Sequence, residues 1–197
     1  MNLEIPYPVI LKPARLGSSI GIKVCYGSSE LNEKIDLCSS YDGKILAQKY
    51  IQNFREFNQA IYRRGEQLVL SKVEEVFKHH DIFDFHDKYL GTKINDKHQF
   101  LDLCSLVDQI STLSSRIYQL FDLSGVVRID YLLDENGQLY VNEVNTTPGS
   151  LAYYLFDMEG LDFVEDLVRE ALRVFRNKKE LRFNSPILEH HSSLKNG

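Results

Sequence analysis

Sulfur is scarce in this chain of 197 residues. Its three cysteines, Cys25, Cys38 and Cys104, are odd in number, widely spaced and without a CxxC pair. That excludes a disulfide framework and a thiolate zinc site, and it fits reduced thiols in a cytoplasmic protein. No apolar run approaches the ~20 residues of a membrane-spanning helix, and no basic-plus-apolar export signal opens the chain, so no membrane role is expected. Lys and Arg number 23 against 28 Asp and Glu, a net charge of -5. There is thus no global basic field to attract nucleic acid. Internal repeats and low-complexity segments are absent. The remainder, 43% hydrophobic and 11% aromatic, is ordinary for a folded globular protein, and the length holds one large domain or two small ones. A strand-like run, Ile5 to Lys12, begins almost at the first residue. It leads us to expect a piece of a longer protein.

The local patterns describe a mixed chain. Val9 to Lys12 reads as a short buried strand ended by Pro13, and Ile22 to Tyr26 as its return. Ser28 or Ser29 caps a helix over about 30–39. Strands follow over 44–50, 56–61 and 67–76, the last two joined by Arg63-Arg64-Gly65-Glu66. Residues 78–98 are polar, rich in His, Asp and Lys, and aperiodic, and are expected to be a mobile or functional loop. Leu103, Leu106, Val107, Ile110, Leu113, Ile117 and Leu120 recur at helical spacing. A second amphipathic helix over 161–175 carries Phe163, Leu167, Val168, Ala171, Leu172 and Phe175 on its apolar side. From Lys178 the tail is polar and expected to fray.

Most chemistry is concentrated between Gly125 and Gly149. Two β-type runs flank Asn136-Gly137, a strong hairpin signal. A two-residue type I′ turn there sets Asp130 opposite Glu143 and Arg128 opposite Asn145, and alternation points all four side chains to one face. Val127, Ile129, Tyr131, Leu133, Tyr140 and Val144 fall on the other face and read as core. Two opposed carboxylates repel, and a divalent cation reverses that sign. Oxygen-only donors, two carboxylates and an amide, suit Mg²⁺ or Mn²⁺ rather than zinc, and Arg128 suits a metal-bound anion such as phosphate. A solvent-facing polar hairpin is the plain alternative.

Other features are weaker alone. Gly17-Ser18-Ser19-Ile20-Gly21 could cradle a phosphate through backbone N–H groups and hydroxyls, or could be an ordinary turn. Lys12 lies in an otherwise apolar strand, where burial requires pairing; a phosphate, a carboxylate or solvent could meet it. Lys88-Tyr89 lies in the polar loop. The pairs His79-His80 and His190-His191 are adjacent residues whose side chains diverge, which argues against a metal role, and Arg63-Arg64 reads as a solvated turn.

Taken in order, these pieces resemble the C-terminal two-thirds of D-alanine–D-alanine ligases of the ATP-grasp superfamily. The matching segments are Tyr7 to Gly21, Arg55-Glu56-Phe57, Asp84 to Tyr89, and Val127 to Asp130 with Asn142 to Gly149. The resemblance covers about 7–175. It implies an α+β ATP-grasp fold with antiparallel sheets, flanking helices and a nucleotide held between two subdomains. These would be a partial small subdomain over 1–53 and a catalytic subdomain over 54–180, followed by the tail 181–197.

The resemblance also implies roles. Lys12 contacts the ATP phosphates, and Ser18 and Ser19 belong to the loop that closes over them. Gln48, Lys49, Tyr50 and Ile51 form the strand that binds adenine, Asn142 adjoins the nucleotide, and Glu56 binds the ribose. Lys88 and Tyr89 belong to a closing loop. Asp130, Glu143 and Asn145 hold two magnesium (or manganese) ions, and Arg128 stabilises the transferred phosphoryl group. Gly149, Tyr154 and Leu155 lie at the substrate position. The implied reaction joins two D-alanines through an acyl phosphate for peptidoglycan synthesis.

Several departures are visible. Gln48 stands where a glutamate is common, the stretch Gln52-Asn53-Phe54 is one residue longer than usual, and Tyr154 replaces a frequent serine. The resemblance implies that the family's N-terminal domain, which holds much of its homodimer contact, is expected outside these 197 residues. The alternatives are a ligase with another acceptor and a nucleotide-binding module that does not ligate.

Overall fold

A computed structural model describes residues 3–77 and 98–180. The strands are β1 (Val9–Pro13), β2 (Lys23–Cys25), β3 (Ile45–Lys49), β4 (Arg55–Arg64), β5 (Gln67–Leu70), β6 (Glu74–Val76), β7 (His98–Phe100), β8 (Val127–Leu133) and β9 (Leu139–Asn145). The helices are α1 (Leu31–Ser39), α2 (Ser105–Leu120) and α3 (Gly160–Glu180), with a 3₁₀ segment at Gly149–Leu155. The expected loop over 78–98 and the tail lie outside the described residues, apart from His98, which opens β7. Among the described residues no helix is long and apolar enough to cross a membrane, and all three cysteines are free.

Two sheets organise the chain. The smaller has the order β2-β1-β3, antiparallel throughout. Alternation along β1 buries Val9 and Leu11 against Cys25, Leu31 and Cys38, so Ile10 and Lys12 point to the other face. The larger sheet runs β7-β6-β4-β8-β9, with β5 also on β4. Strand β8 has a neighbour on each edge, and Ile129, Asp130 and Tyr131 are all buried, so both of its faces are covered.

The chain divides into two units: 1–58 with 73–107 and 129–143, and 59–72 with 108–128 and 144–197. The core of the first includes the β1–α1 cluster. The core of the second gathers Ala60, Tyr62, Val126, Ala152, Leu155, Phe156 and Phe163. Tyr62 sits edge-on to Phe156 and Phe163 at 5.3 and 5.6 Å, and its hydroxyl donates to Asp166 at 2.7 Å, so its ring is buried without an orphaned polar tip.

Local polar chemistry made a strand, a turn and a helix face differ from expectation. The single strand expected over 67–76 is two, because Ser71 competes with the ladder: Ala60 N–H donates to the Ser71 hydroxyl at 2.8 Å, and that hydroxyl donates to the Lys72 carbonyl at 2.8 Å. Register slips there by one residue, with Ile61 opposite Leu70 but Glu56 opposite Val76. The β8–β9 turn also differs. Gly137 takes a left-handed φ of 77° while Asn136 is not left-handed, so the type I′ turn, which needs both, does not form. The Asp134 carboxylate accepts the Asn136 and Gln138 N–H groups at 2.9 Å each. Asp134 N–H donates to the Gln138 carbonyl at 3.1 Å, so Asp134, not Glu135, stands opposite Gln138. This is a three-residue turn with a glycine bulge. It does not set Asp130 directly opposite Glu143, and of the residues expected as core on this hairpin Val144 is exposed while Leu139 is buried. On α3, Phe163 and Leu167 face the core, whereas Val168, Leu172 and Phe175 are exposed. The inner face carries Asp166 and Glu170 instead, each accepting a hydrogen bond, Asp166 from Tyr62 and Glu170 from Arg173.

The root of the Gly-Ser loop is tied down by Asp42. Its carboxylate accepts the Arg15 N–H at 2.8 Å, the Lys44 N–H at 3.0 Å and the Arg15 guanidinium. The Arg15 hydrogen bond, then that from Lys44, holds the Asp42 pKa well below the usual carboxylate range. The stability this contributes is present above the unfolded carboxylate pKa of ~4 and is lost as pH falls toward the folded value. Asp42→Asn should therefore lower stability at neutral pH and flatten the acid limb of a pH–stability curve below about pH 4; an unchanged limb contradicts the assignment. Gly137→Ala should cost about 1–2 kcal/mol by denaturant titration, the left-handed penalty for a residue with a Cβ.

Candidate active site

Lys12 is the centre of the site. Facing away from the β1–α1 core, its Nζ donates to the Asn142 Oδ1 of β9 at 3.1 Å. Burial lowers its pKa, and the nearby Glu143 carboxylate partly opposes that shift. A strand lysine from the smaller sheet thus meets the start of the Asn142-Glu143-Val144-Asn145 run of the larger. The readings left open for Lys12 were a phosphate, a carboxylate or solvent; its hydrogen-bond partner is instead the Asn142 amide, with the Glu143 carboxylate nearby. It leaves a half-buried ammonium beside an acid, a suitable environment for phosphate oxygens.

The three expected metal ligands differ in environment. Asp130 is buried on β8, an interior strand, Glu143 is exposed, and Asn145 is half-buried with its Oδ1 accepting the Thr147 N–H at 3.0 Å. That bond orients the Asn145 amide and leaves a second lone pair on its oxygen. Among the described residues no three His, Cys, Asp or Glu side chains gather into a metal-binding cluster. The trio has only two carboxylates, and its all-oxygen chemistry fits a hard divalent cation. Arg128 is half-buried two residues before Asp130 on β8.

The Gly-Ser loop carries backbone strain. Ser18 and Ser19 both adopt left-handed φ, 56° and 59°, and Ile20 N–H donates to the Gly17 carbonyl at 3.2 Å. Left-handed φ at both central residues is the type I′ signature, found here at Ser-Ser. Residues other than glycine hold that region at a cost, a pattern that clusters at functional loops. The far end of the loop is fixed by Gly21, left-handed at 74°, where an added Cβ would stand 2.8 Å from Tyr41 and 2.9 Å from Pro13.

The expected adenine strand is β3 with Tyr50 and Ile51. It is an edge strand, with Gln48 opposite Ile10 and Lys49 opposite Val9, so one row of its backbone groups faces away from β1. Tyr50 N–H is already used by the Pro8 carbonyl at 3.0 Å, and the Lys49 ammonium lies 5.6 Å from the Tyr140 ring centre. Glu56 lies on β4 opposite Val76, beside a two-pronged Arg55–Glu75 ion pair with both contacts at 2.7 Å. Lys88 and Tyr89 lie outside the described residues.

The segment after Pro148 was not anticipated. Ser150, Leu151 and Ala152 are consecutive left-handed residues, φ 49°, 53° and 50°, at ~1–2 kcal/mol each for L-residues. Buried Ala152 and Leu155 anchor it, the Leu155 carbonyl accepts the Lys72 N–H at 3.1 Å, and the Tyr153 hydroxyl donates to the Met158 carbonyl at 2.8 Å. Gly149 and Tyr154 are exposed at its ends, while the Leu155 side chain is in the core. No composition signal marks this turn, since none of its three residues favours left-handed backbone. The Arg15–Asp42 anchor was also missed; its one signal is Asp42-Gly43, a turn dipeptide.

With this geometry in place, known proteins can be compared. D-alanine–D-alanine ligase of Thermosipho africanus is 36% identical over 181 residues, which are 89% of this chain and 49% of that protein. The same enzyme of Nitratiruptor sp. is 37% identical over 155 residues, 78% of this chain and 44% of that one. The crystal structure of D-alanine–D-alanine ligase from Helicobacter pylori superposes with a TM-score of 0.65 at 31% identity, covering 85% of this chain and 50% of that one. A D-Ala:D-Ser ligase of Enterococcus faecalis superposes at 0.66 with 23% identity, a likeness of fold alone. The chain spans about half the length of the curated relatives it matches. The fold is α+β, antiparallel sheets with flanking helices, of the ATP-grasp class. The family profile described as "D-ala D-ala ligase C-terminus" matches residues 1–172, and the chain belongs to that family.

Proposed function

We propose that this chain is the nucleotide- and metal-binding half of a cytoplasmic, ATP-dependent D-alanine–D-alanine ligase of peptidoglycan synthesis. The observation that carries this reading is the 3.1 Å bond from Lys12 to Asn142 with Glu143 alongside. Residues 1–53 serve as the small subdomain and 54–180 as the catalytic one. The β3 edge with Gln48 to Ile51 takes the adenine, Glu56 the ribose, and Lys12 with Ser18 and Ser19 the phosphates. Asp130, Glu143 and Asn145 hold Mg²⁺ or Mn²⁺. When bound, the cation neutralises phosphate charge during transfer.

The carboxylate of one D-alanine attacks the γ-phosphorus of ATP and ADP leaves, giving an acyl phosphate. The amine of the second D-alanine attacks its carbonyl, and phosphate departs from a tetrahedral intermediate. Such transfer needs positioning and charge neutralisation more than covalent help. Lys12 and Arg128 supply fixed positive charge, and Lys88 and Tyr89 act in keeping water from the acyl phosphate. The second substrate binds near Gly149, Tyr154 and Leu155, on the anchored left-handed turn.

The test is phosphate release from ATP by the gene product that contains this chain, with and without D-alanine, the product identified by mass. D-alanine-dependent release giving the dipeptide is expected; release only with another amino or hydroxy acid overturns the substrate assignment. The 197-residue chain alone is expected to bind ATP weakly and ligate nothing. In the complete protein, Arg128→Ala should cut kcat by about 100-fold or more while ATP affinity changes far less. Equal losses in both would reduce Arg128 to a binding residue.

A further inference from the structure

Strand β9 reaches the smaller sheet through two side chains, Tyr140 and Asn142, that stand two residues apart and so share one face of the strand. Asn142 Oδ1 accepts a hydrogen bond from the Lys12 ammonium at 3.1 Å. Tyr140 meets the Lys49 ammonium, which lies over its ring at 5.6 Å from the ring centre, within the range of cation–π attraction. The ring is itself held. Its hydroxyl donates to the Asp134 carboxylate at 3.2 Å, and that carboxylate also accepts the Asn136 and Gln138 N–H groups of the β8–β9 turn. Half-buried Tyr140 is thus anchored at its polar end, with its ring under the cation of an exposed residue.

The backbone of Lys49 gives that contact its consequence. Along an antiparallel edge strand, successive residues turn their N–H and carbonyl alternately toward the neighbouring strand and away from it. Tyr50 N–H is bound to the Pro8 carbonyl. Lys49, opposite Val9, therefore turns its own backbone groups to the free edge of β3. In the proposed function that edge takes the adenine. We propose that Tyr140 is a positioning residue for the nucleotide: by holding the Lys49 side chain it fixes the free-edge backbone that meets the base. Asn142 does the same for the ammonium that meets the phosphates, so one face of β9 sets both ends of the nucleotide site. The inference rests on the nucleotide-binding reading of this chain. It gives Tyr140, which lies outside the base-binding strand, a share in nucleotide affinity that passes through Lys49.

The test is calorimetric titration of the complete protein that contains this chain with MgATP. A cation–π contact at an exposed site corresponds to about two- to fivefold in an equilibrium constant. Tyr140→Leu and Lys49→Met should each weaken MgATP binding by about that factor. The double variant should lose no more than either single one, because the two side chains act as a unit. Lys49→Arg, which keeps a cation for the ring, should bind as the wild type does. Melting curves without nucleotide establish that the variants are folded, and the contrast between Lys49→Met and Lys49→Arg carries the test if Tyr140→Leu does not fold. Unchanged affinity in the single variants, losses that add in the double variant, or a Lys49→Arg as weak as Lys49→Met overturns the positioning role. A wild type that binds no MgATP overturns the nucleotide reading itself, and the inference with it.

Discussion

A half-buried ammonium is the constraint around which the site is arranged. Lys12 cannot turn into the β1–α1 core without an unpaired charge, so strand alternation sends it to the opposite face. There the partner is a side-chain amide, Asn142, rather than a carboxylate in direct contact. A full salt bridge would neutralise the lysine and leave little attraction for an anion. An amide satisfies one donor, and the Glu143 carboxylate partly opposes the lowering of the lysine pKa that burial causes. Among the described residues, the ammonium is held by the single hydrogen bond to Asn142.

Strain is distributed consistently with that arrangement. Apart from glycines and from Asn53 and Asp122, whose residue types tolerate it, left-handed backbone among the described residues occurs at Ser18 and Ser19 in the candidate phosphate loop and at Ser150 to Ala152 in the candidate substrate turn. Both stretches are anchored by ordinary packing and hydrogen bonding: Asp42 and Gly21 at the first, Ala152 and Leu155 at the second. Strained conformations persist only where the surroundings over-determine them.

Much of this was legible in the sequence, for physical reasons that can be named. Strand-like runs marked β1, β3 and β8, helical spacing marked α2 and α3, and their oxygen donors made Asp130, Glu143 and Asn145 candidates for a metal. The misreadings came from side chains acting on nearby backbone. Asp134 captured two amides and converted a two-residue turn into a bulged one. Ser71 took the Ala60 N–H and split a strand. Along α3, periodicity located an apolar set but could not show which part of it faces inward, because Tyr62 and Arg173 make Asp166 and Glu170 acceptable there.

The central claim is that Lys12 is held for a phosphate at some expense to the fold. Melting curves of the wild-type chain and Lys12→Met, each with and without MgATP, test it most directly. Burial disfavours the charged lysine at neutral pH, so the substitution should raise the midpoint without nucleotide, while the MgATP-induced rise expected of the wild type should vanish. A variant that melts lower and still gains as much from MgATP as the wild type would contradict the account.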